Sequence, residues 1–383
     1  MAVSDIQPGL LRRMTVRTIL ETLLRHGPLS RAELTRETGI SAPTVSKGVT
    51  ELLDRKLIEE TSVFENALGR PGKRLSLATT SSRVIGISVQ SEHCEVSSAS
   101  LDGRIDLAST QYFNTPASYS SLKDLLTEAI RGIQSTGDFH ISGIGVSVPA
   151  LVSRHDQIIR WSASIPFLNE QNLSGDLQAV TGIPVVSVQQ AQALCLAERL
   201  YGAARGLDDF LVLDLAESPA VGVFSDGEPL VGNSGLAGQL TAENGLQLTD
   251  VNADPCANVV KSDRQFLEVA SRRLGSPVSV DTLVQHAGFR TLLDDEFDQA
   301  VAGFARVMGV AINIFNPSTL ILFSRILAYD PNLFGRISDH VRKYALVPNL
   351  ERCQIIPATL SFQSAAVAAI VDDLARKLGP RFA

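Results

Sequence analysis

Apolar side chains recur over residues 41–54 at the spacing of an amphipathic helix, and small or hydroxylated side chains occupy the positions between them. The apolar side would face a core and comprises Val45, Val49, Leu52 and Leu53. The opposite side carries Ala42, Thr44, Ser46, Lys47 and Thr50. Small side chains allow close approach to the DNA major groove, and polar ones can hydrogen-bond to base edges. The sequence therefore predicts DNA contacts from Ser41, Ala42, Thr44, Ser46 and Lys47.

A second candidate for DNA contact is the basic segment GRPGKR at residues 69–74. The order Gly-Arg-Pro holds an arginine on an extended backbone, which suits a narrow minor groove whose negative potential attracts guanidinium groups. The predicted contact residues are Arg70, Pro71, Gly72, Lys73 and Arg74. The alternative is an ordinary surface loop without a ligand.

The elements that would position these groups begin with a short helix after Ser30. Ser30 and Glu33 have the Ser-x-x-Glu spacing of a capping box, and Gly39 falls where that helix must end. Ser41 is predicted to cap the next helix, with Pro43 in its first turn. Two short capped helices joined by a glycine indicate a helix-turn-helix, although hairpins of this kind also occur in proteins that bind nothing.

A preceding helix and a following pair of strands would complete a winged helix-turn-helix. The helix is expected at residues 10–26, with the buried stripe Leu11, Ile19, Leu20, Leu23 and Leu24. Strands are expected at residues 58–63 and 74–78, on either side of the basic segment. We therefore predict that residues 1–80 form a DNA-binding domain, which we call the head.

Composition indicates a cytoplasmic globular protein. The distribution of charge indicates that its head contacts the phosphate groups of a nucleic acid. The net charge of the 383 residues is −7, yet residues 10–75 hold twelve Lys and Arg against eight Asp and Glu, a net charge of +4. The residues after 75 have a net charge of −10. No apolar run approaches the roughly 20 residues that span a bilayer, and the first residues lack the apolar region that is typical of a secretory signal. Four widely spaced cysteines suggest reduced thiols.

After residue 80 the chain alternates strands and helices in two similar halves. This pattern predicts an α/β body with two lobes and a cleft between them. The lobes are expected at about residues 81–190, together with the C-terminal helix, and at residues 191–363. The predicted helices of the second lobe include residues 191–204 and 296–315.

The residues of the body resemble those of the ROK family, which comprises sugar-responsive repressors and sugar kinases on an actin-like ATPase fold. The similar stretches are GIGVSVPALVS at residues 143–153, residues 181–215, DGEPLVGNSGLAGQL at residues 226–240 and AINIFNPSTLIL at residues 311–322. The head, with GRPGKR, is similar to the winged helix-turn-helix that ROK repressors carry and ROK kinases lack. The resemblance implies an α/β fold in which a winged helix-turn-helix precedes a two-lobed actin-like body at residues 81–383.

The resemblance also indicates which residues of this chain occupy the positions that bind phosphate or act as general base in the family's kinases. At these positions the chain has residues of a different chemical type. The position of the first phosphate-binding Asp is Ser88, and no glycine cradle follows it. The second phosphate loop corresponds to residues 216–219, where Glu217 would repel phosphate and Pro219 removes an amide donor. The position of the general base is Gln190, which cannot accept a proton. A glycine cluster on the adenosine side corresponds to residues 323–325, Phe-Ser-Arg. We therefore expect no enzymatic activity and no cofactor.

The family's structural zinc is not expected here. Its histidine position falls on Ala242, and only Cys256 lies in the segment that should hold the cysteine cluster. A single thiol cannot supply the four-coordinate site that zinc requires.

Sugar-binding positions of the family correspond to Gln189, Gln190 and Gln239, which we take as candidate ligand-binding residues. Glutamines keep donors and acceptors but lose the charge that strengthens a carboxylate–hydroxyl bond. The two interpretations are a retained cleft with a different ligand and a vestigial cleft without one. Trp161 is either a stacking platform for a ring or, as we favour, a core residue.

Taken together, the residues and the resemblance predict a DNA-binding transcriptional regulator, a repressor, with a catalytically inactive body. The expected partners are a double-stranded operator, a second copy of the chain in a dimer or tetramer, and a sugar-derived effector, with no membrane association. An effector in the cleft would change lobe closure and hence the spacing of the heads. The rival hypotheses are a ROK sugar kinase with an added head and a protein-interaction module without a ligand.

Overall fold

The computed structural model describes residues 8–62, 73–240, 262–285, 288–327 and 331–381. The chain divides into two compact units. Unit 1 comprises Met1–Ser147, Leu173–Val188 and Phe362–Ala383, so it contains the head and the C-terminal helix. Unit 2 comprises Val148–Asn172 and Gln189–Ser361. No helix in the described ranges is long and apolar enough to cross a membrane.

The head has three helices and a β-hairpin. The helices are α1 (Pro8–His26), α2 (Arg31–Thr38) and α3 (Ala42–Asp54), and the strands are β1 (Ile58–Ser62) and β2 (Lys73–Leu77). β1 and β2 pair antiparallel, with Ile58 opposite Leu77. The predicted buried stripe of α1 is confirmed except at Leu11, which is only half-buried, while Met14 and Val16 join the core.

The rest of unit 1 is a five-stranded sheet with three helices. Its elements are β3 (Ser82–Val89), β4 (His93–Ala99), β5 (Gln111–Asn114), α4 (Tyr119–Ser135), β6 (His140–Val148), α5 (Leu173–Thr181), β9 (Val185–Gln189) and α12 (Phe362–Leu378). The strand order is β5-β4-β3-β6-β9, and β3 and β6 run parallel. Glycine is needed where α12 crosses this sheet, because a Cβ at Gly145 would lie 2.0 Å from the carbonyl oxygen of Ala366.

Unit 2 is built on a second five-stranded sheet. Its elements are β7 (Leu151–Val152), β8 (Ile159–Trp161), α6 (Gln190–Leu200), β10 (Phe210–Asp214), β11 (Ala220–Ser225), β12 (Glu228–Pro229), α7 (Asp263–Leu274), α8 (Val280–Gln285), α9 (Phe289–Phe315), β13 (Thr319–Phe323), α10 (Pro331–Val341), α11 (Val347–Leu350) and β14 (Gln354–Pro357). The strand order is β12-β11-β10-β13-β14. Each five-stranded sheet therefore has three consecutive antiparallel strands followed by crossover strands, so the predicted pair of similar halves is confirmed.

Two helix boundaries of unit 2 differ from the sequence prediction. α6 ends at Leu200 rather than at residue 204, because the buried carboxylate of Glu198 accepts a hydrogen bond from the Ala203 backbone N–H at 2.7 Å. α9 begins at Phe289 rather than at residue 296, directly after Gly288 in the left-handed conformation, φ 88°. The contact at Glu198 and the conformation of Gly288 leave no trace in the apolar periodicity, so the sequence pattern did not show these helix ends.

Candidate DNA interface and ligand site

The turn between α2 and α3 has the predicted geometry. Ser30 Oγ accepts a hydrogen bond from the Glu33 backbone N–H at 3.2 Å, and Glu33 Oε2 accepts one from the Ser30 N–H at 2.7 Å. The bond from the Ser30 backbone N–H is also the main cause that lowers the pKa of Glu33. Gly39 ends α2 in the left-handed conformation, φ 66°, where a residue with a Cβ would be strained. The capping box and the glycine turn are therefore confirmed.

The start of α3 differs in one detail from the prediction. Ser41 occupies the N-cap position, but its side chain makes no hydrogen bond to the helix backbone, so the predicted side-chain cap is wrong. Instead, Ser41 Oγ lies 2.9 Å from Thr44 Oγ1. Both hydroxyls are exposed, so they face solvent at the end of the helix that would enter a groove.

The two sides of α3 are as predicted. Val45, Val49 and Leu52 are fully buried, whereas Leu53 is half-buried. On the opposite side Ser46 is half-buried, and the exposed residues are Ala42, Thr44, Lys47 and Thr50.

Gly48, which the apolar pattern does not mark, lies on the buried side of α3. A Cβ at this position would lie 2.6 Å from Ile19 Cδ1 of α1. A glycine in the middle of a helix costs conformational entropy, and here it allows α1 to lie closely against α3. The spacing of apolar residues gave no signal for this contact.

We call residues 70–74 of the predicted basic segment the wing. Two of its residues lie on β2, and each pairs with a carboxylate. Lys73 Nζ lies 2.6 Å from Glu60 Oε2, and Arg74 Nη2 lies 3.8 Å from Glu33 Oε1. The hydrogen bond from Lys73 lowers the pKa of Glu60. Arg70, Pro71 and Gly72 lie outside the described residues. Lys73 therefore joins the two strands of the hairpin, and Arg74 joins the hairpin to α2.

The head and the C-terminal helix meet within unit 1 along α1. Arg13 Nε donates to the carbonyl oxygen of Leu378 at 3.2 Å, and Arg17 Nη1 donates to that of Gly379 at 2.9 Å. Glu21 Oε1 is 2.9 Å from both Arg17 Nε and Arg381 Nε. We call these contacts the α1–α12 seam. Cationic groups at the C-terminal end of α12 also complement its helix dipole.

The predicted ligand-binding glutamines lie in unit 2, and two are buried. Gln190 Nε2 donates to Asp214 Oδ2 at 2.9 Å, and Gln239 Nε2 donates to Ser218 Oγ at 2.7 Å. Gln189 Nε2 and Gln190 Oε1 are buried and have no hydrogen-bond partner among the residues that the structure describes. Buried amide groups are normally paired, so these atoms are suited to a polar ligand.

Two buried carboxyl groups in unit 2 were not predicted from the sequence. Asp214 Oδ1 accepts from the Ala216 N–H at 3.0 Å, beside the bond from Gln190. Asp263 accepts from Ser324 Oγ and from the Arg325 N–H, both at 2.6 Å. Burial raises the pKa of Asp214 and of Asp263 to about 7. Asp214 ends the apolar strand FLVLD, a signal that the sequence did contain.

The position equivalent to the kinases' first phosphate-binding Asp carries neutral groups. Ser88 on β3 lies opposite Ser147 on β6, and Gln90 Nε2 is 3.4 Å from Ser88 Oγ. All three side chains are buried. These three residues supply hydroxyl and amide groups at this end of the sheet in unit 1.

The remaining residues singled out in the sequence are the tryptophan and the two positions of the family's zinc site. Trp161 lies on β8 opposite Leu151 and is half-buried. Ala242 and Cys256 lie outside the described residues. Within the described ranges, no group of three or more His, Cys, Asp or Glu side chains could hold a metal ion.

The fold and these sites define the class of the protein: a winged helix-turn-helix that precedes a body of the actin-like ATPase type. The chain belongs to the ROK family, whose model matches residues 84–373. A model of the MarR family matches residues 11–63, which lie in the head.

Individual relatives match the chain over almost its whole length. It is 25% identical to the DNA-binding transcriptional repressor Mlc of Escherichia coli, over 97% of this chain and 96% of that protein. It is 22% identical to the xylose repressor of Bacillus subtilis, over 93% and 94% of the two chains. A solved ROK family transcriptional regulator, a homologue of the E. coli MLC protein, superposes with a TM-score of 0.77 at 19% identity. The superposition covers 96% of this chain and 98% of that one, so the two share this fold.

Proposed function

We propose that this protein is a DNA-binding transcriptional regulator, a repressor, in which the head binds an operator and the body senses a sugar-like effector. The observation that carries the proposal is the exposed side of α3, where small and hydroxylated residues surround Lys47. The likeness to two repressors over nearly the full chain supports it, because both the head and the body are included in the match.

In this proposal, α3 enters the major groove of the operator. Ser41, Ala42 and Thr44 would lie at its leading end, with Ser46 and Lys47 one turn further along. The wing segment 70–74 would contact the backbone and the minor groove, since it is basic and joins the two strands of the hairpin. Lys73 and Arg74 would exchange their carboxylate partners for phosphate when DNA binds.

We further propose that the body does not transfer phosphoryl groups. Gln190, at the position of the kinase base, is an amide whose Nε2 donates to Asp214. Pro219 and Glu217 replace the glycines of the second phosphate loop. An assay for ATP-dependent phosphorylation of hexoses tests this directly: no product is expected, and turnover would establish the kinase alternative.

The effector would bind at the glutamines of unit 2. Gln189 Nε2 offers donors and Gln190 Oε1 an acceptor, and both are buried, so a polyhydroxyl ligand could hydrogen-bond to them without charge. Gln239, whose Nε2 donates to Ser218 Oγ, would contribute a third amide group. Because an effector shifts an equilibrium only through different affinities for two states, its binding must weaken or strengthen operator binding reciprocally.

Self-association would use an apolar surface of unit 2 on α9 and α11. Exposed apolar side chains concentrate there, at Val310, Ile314, Leu346 and Val347. Asn313 Oδ1 accepts from the Leu346 N–H at 2.8 Å, which fixes the two helices together. We propose a second copy of the chain as the partner, because a palindromic operator requires two heads. Sedimentation velocity of Ile314→Lys should show a smaller species, whereas Leu107→Lys, at an exposed leucine in unit 1, should not.

The experiment that tests the main proposal is a mobility shift with the protein and its own upstream intergenic DNA. We expect a shifted band that resists unrelated competitor DNA and that weakens steeply as salt rises, since phosphate contacts release counterions. Sugars and sugar acids added to the same binding reaction then identify an effector by release of the band. Absence of binding both to this DNA and to a library of genomic fragments would favour the protein-interaction hypothesis.

A further inference from the structure

A cavity of about 520 Å³ opens in unit 2 beside the C-terminal ends of β13 and β14. Its size falls within the range of about 300–1,000 Å³ that is typical of small-molecule sites. The carboxyl ends of parallel strands are also where ligands bind in open α/β sheets. The cavity is separate from the three glutamines, because none of them lines it. Its lining includes residues 323–325, which the family resemblance places on the adenosine side of the kinases.

The rim of the cavity is held rigidly by a buried carboxylate. Glu198 accepts hydrogen bonds from the Thr359 N–H at 2.7 Å, from Thr359 Oγ1 at 2.9 Å and from the Leu360 N–H at 3.1 Å. Glu198 itself is fully buried. The segment that follows β14 is thereby fixed in place, so a ligand meets a preformed wall and its binding costs little ordering entropy.

The segment of the wall that follows β13 is fixed by Asp263. Its two oxygens bind Ser324 Oγ and the Arg325 N–H, and Ser324 Oγ also accepts from the Leu327 N–H at 3.0 Å. Ser324 is thus fully engaged within the protein. Arg325, which also lines the cavity, contributes a guanidinium group that can bind a carboxylate through two parallel hydrogen bonds.

The lining indicates the chemical class of the occupant. Most of the wall is apolar, formed by Val280, Leu327, Phe334, Pro357, Ala358 and Leu360. Apolar walls favour a ring over a polyhydroxyl chain, because buried hydroxyls without partners are costly. The charged lining is one arginine and one exposed aspartate, Asp281, so Arg325 is the one cationic group of the lining that can pair with a negative charge.

We propose that this cavity binds a small ring-bearing organic acid, with its ring against the apolar wall and its carboxylate on Arg325. A nucleotide is a poorer occupant because of the neighbouring segment 216–219, which is held to α7 by the bond from the Arg264 N–H to the Ala216 carbonyl oxygen. That segment presents Glu217 and Pro219 where phosphates would need amide donors. The inference does not depend on DNA binding, and its test needs no DNA.

The test uses titration calorimetry on the full-length protein with benzoate, phenylacetate and cyclohexanecarboxylate, and with benzamide as the uncharged match for benzoate. At least one acid should bind, and benzamide at least about tenfold more weakly, since it lacks the charge. Arg325→Leu should weaken the acid about tenfold or more, and Ala358→Phe, which fills the cavity, should abolish binding. Arg342→Leu, at an exposed arginine outside the lining, should leave affinity unchanged.

Three outcomes would overturn the proposal. They are failure of all three acids to bind the wild-type protein, unchanged acid binding by Ala358→Phe, and displacement of the acid by ATP with the higher affinity. Thermal melting of Ala358→Phe without ligand provides the folding check, and Arg325→Leu supplies an independent variant if the larger side chain prevents folding.

Discussion

Arg17 Nη1 donates a hydrogen bond to the carbonyl oxygen of Gly379 at 2.9 Å, and this bond joins the first helix of the head to the end of α12. The Arg17 side chain is almost fully buried. Since α12 packs along β3 and α1 packs along α3, the α1–α12 seam connects the sheet of unit 1 to the helix proposed to contact DNA. A change in that sheet can therefore reach the head through packed side chains, provided that the seam stays intact.

We predict that loosening the seam destabilises the head and weakens operator binding. Arg17→Met removes a charged donor from a carbonyl and should lower the free energy of unfolding by about 1–3 kcal/mol. Gly379→Ala should act in the same direction, because its Cβ would lie 2.7 Å from the Arg13 carbonyl carbon. Chemical denaturation measures the decrease. Gly335→Ala on α10, where a Cβ meets no atom within 4 Å, is the control and should show no decrease.

The two N-cap serines of the head should behave differently. Ser30→Ala removes one bond of the capping box and should cost about 1 kcal/mol of stability. Ser41→Ala removes no helix-capping hydrogen bond, so the stability of this variant should be nearly unchanged. The affinity of the variant for the operator should fall, because Ser41 is a proposed DNA contact. Thermal melting and mobility shifts on both variants separate the two effects. Equal destabilisation by both substitutions would contradict the observed difference in capping.

Substitution of the proposed DNA-contacting cations should weaken binding without affecting folding. Lys47→Ala and Arg70→Ala should each reduce operator affinity, and removal of one phosphate-binding cation should reduce the salt slope by about 1. The control is Lys343→Ala, at an exposed lysine of unit 2, which should bind like the wild type. Unaltered affinity in both head variants would contradict the proposed docking of α3 and the wing.

The buried carboxyl groups predict an unusual pH dependence of stability. Burial raises the pKa of Asp214 to about 7, so the folded protein holds a proton there that the unfolded chain releases near pH 4. The folded state therefore binds more protons between about pH 4 and pH 7, and stability should fall as pH rises through that window. Asp214→Asn should make the melting temperature less sensitive to pH, since a side-chain amide does not take up or release a proton in this range. Asp226→Asn, at an exposed turn, should retain the wild-type pH profile.

Local structure in the head follows directly from short stretches of sequence. Ser30, Glu33 and Gly39 act on the backbone within a few residues, so their types and spacing determine the ends of α2. The apolar periodicity of residues 45–52 likewise determined which side of α3 is buried. The exposed side of α3 could be predicted for the same reason, because it is what remains when the buried side is assigned.

Tertiary structure decided the features that depend on residues distant along the chain. Gly48 is explained only by the close approach of α1, and the end of α6 only by the Ala203 amide that the Glu198 carboxylate binds. The proton affinity of Asp214 and Asp263 arises from burial, which the types of their sequence neighbours do not fix. The cavity beside β13 and the seam between α1 and α12 likewise bring together segments far apart in sequence. Periodicity reports the environment of a helix or strand one element at a time, whereas these sites exist only once the elements have packed together.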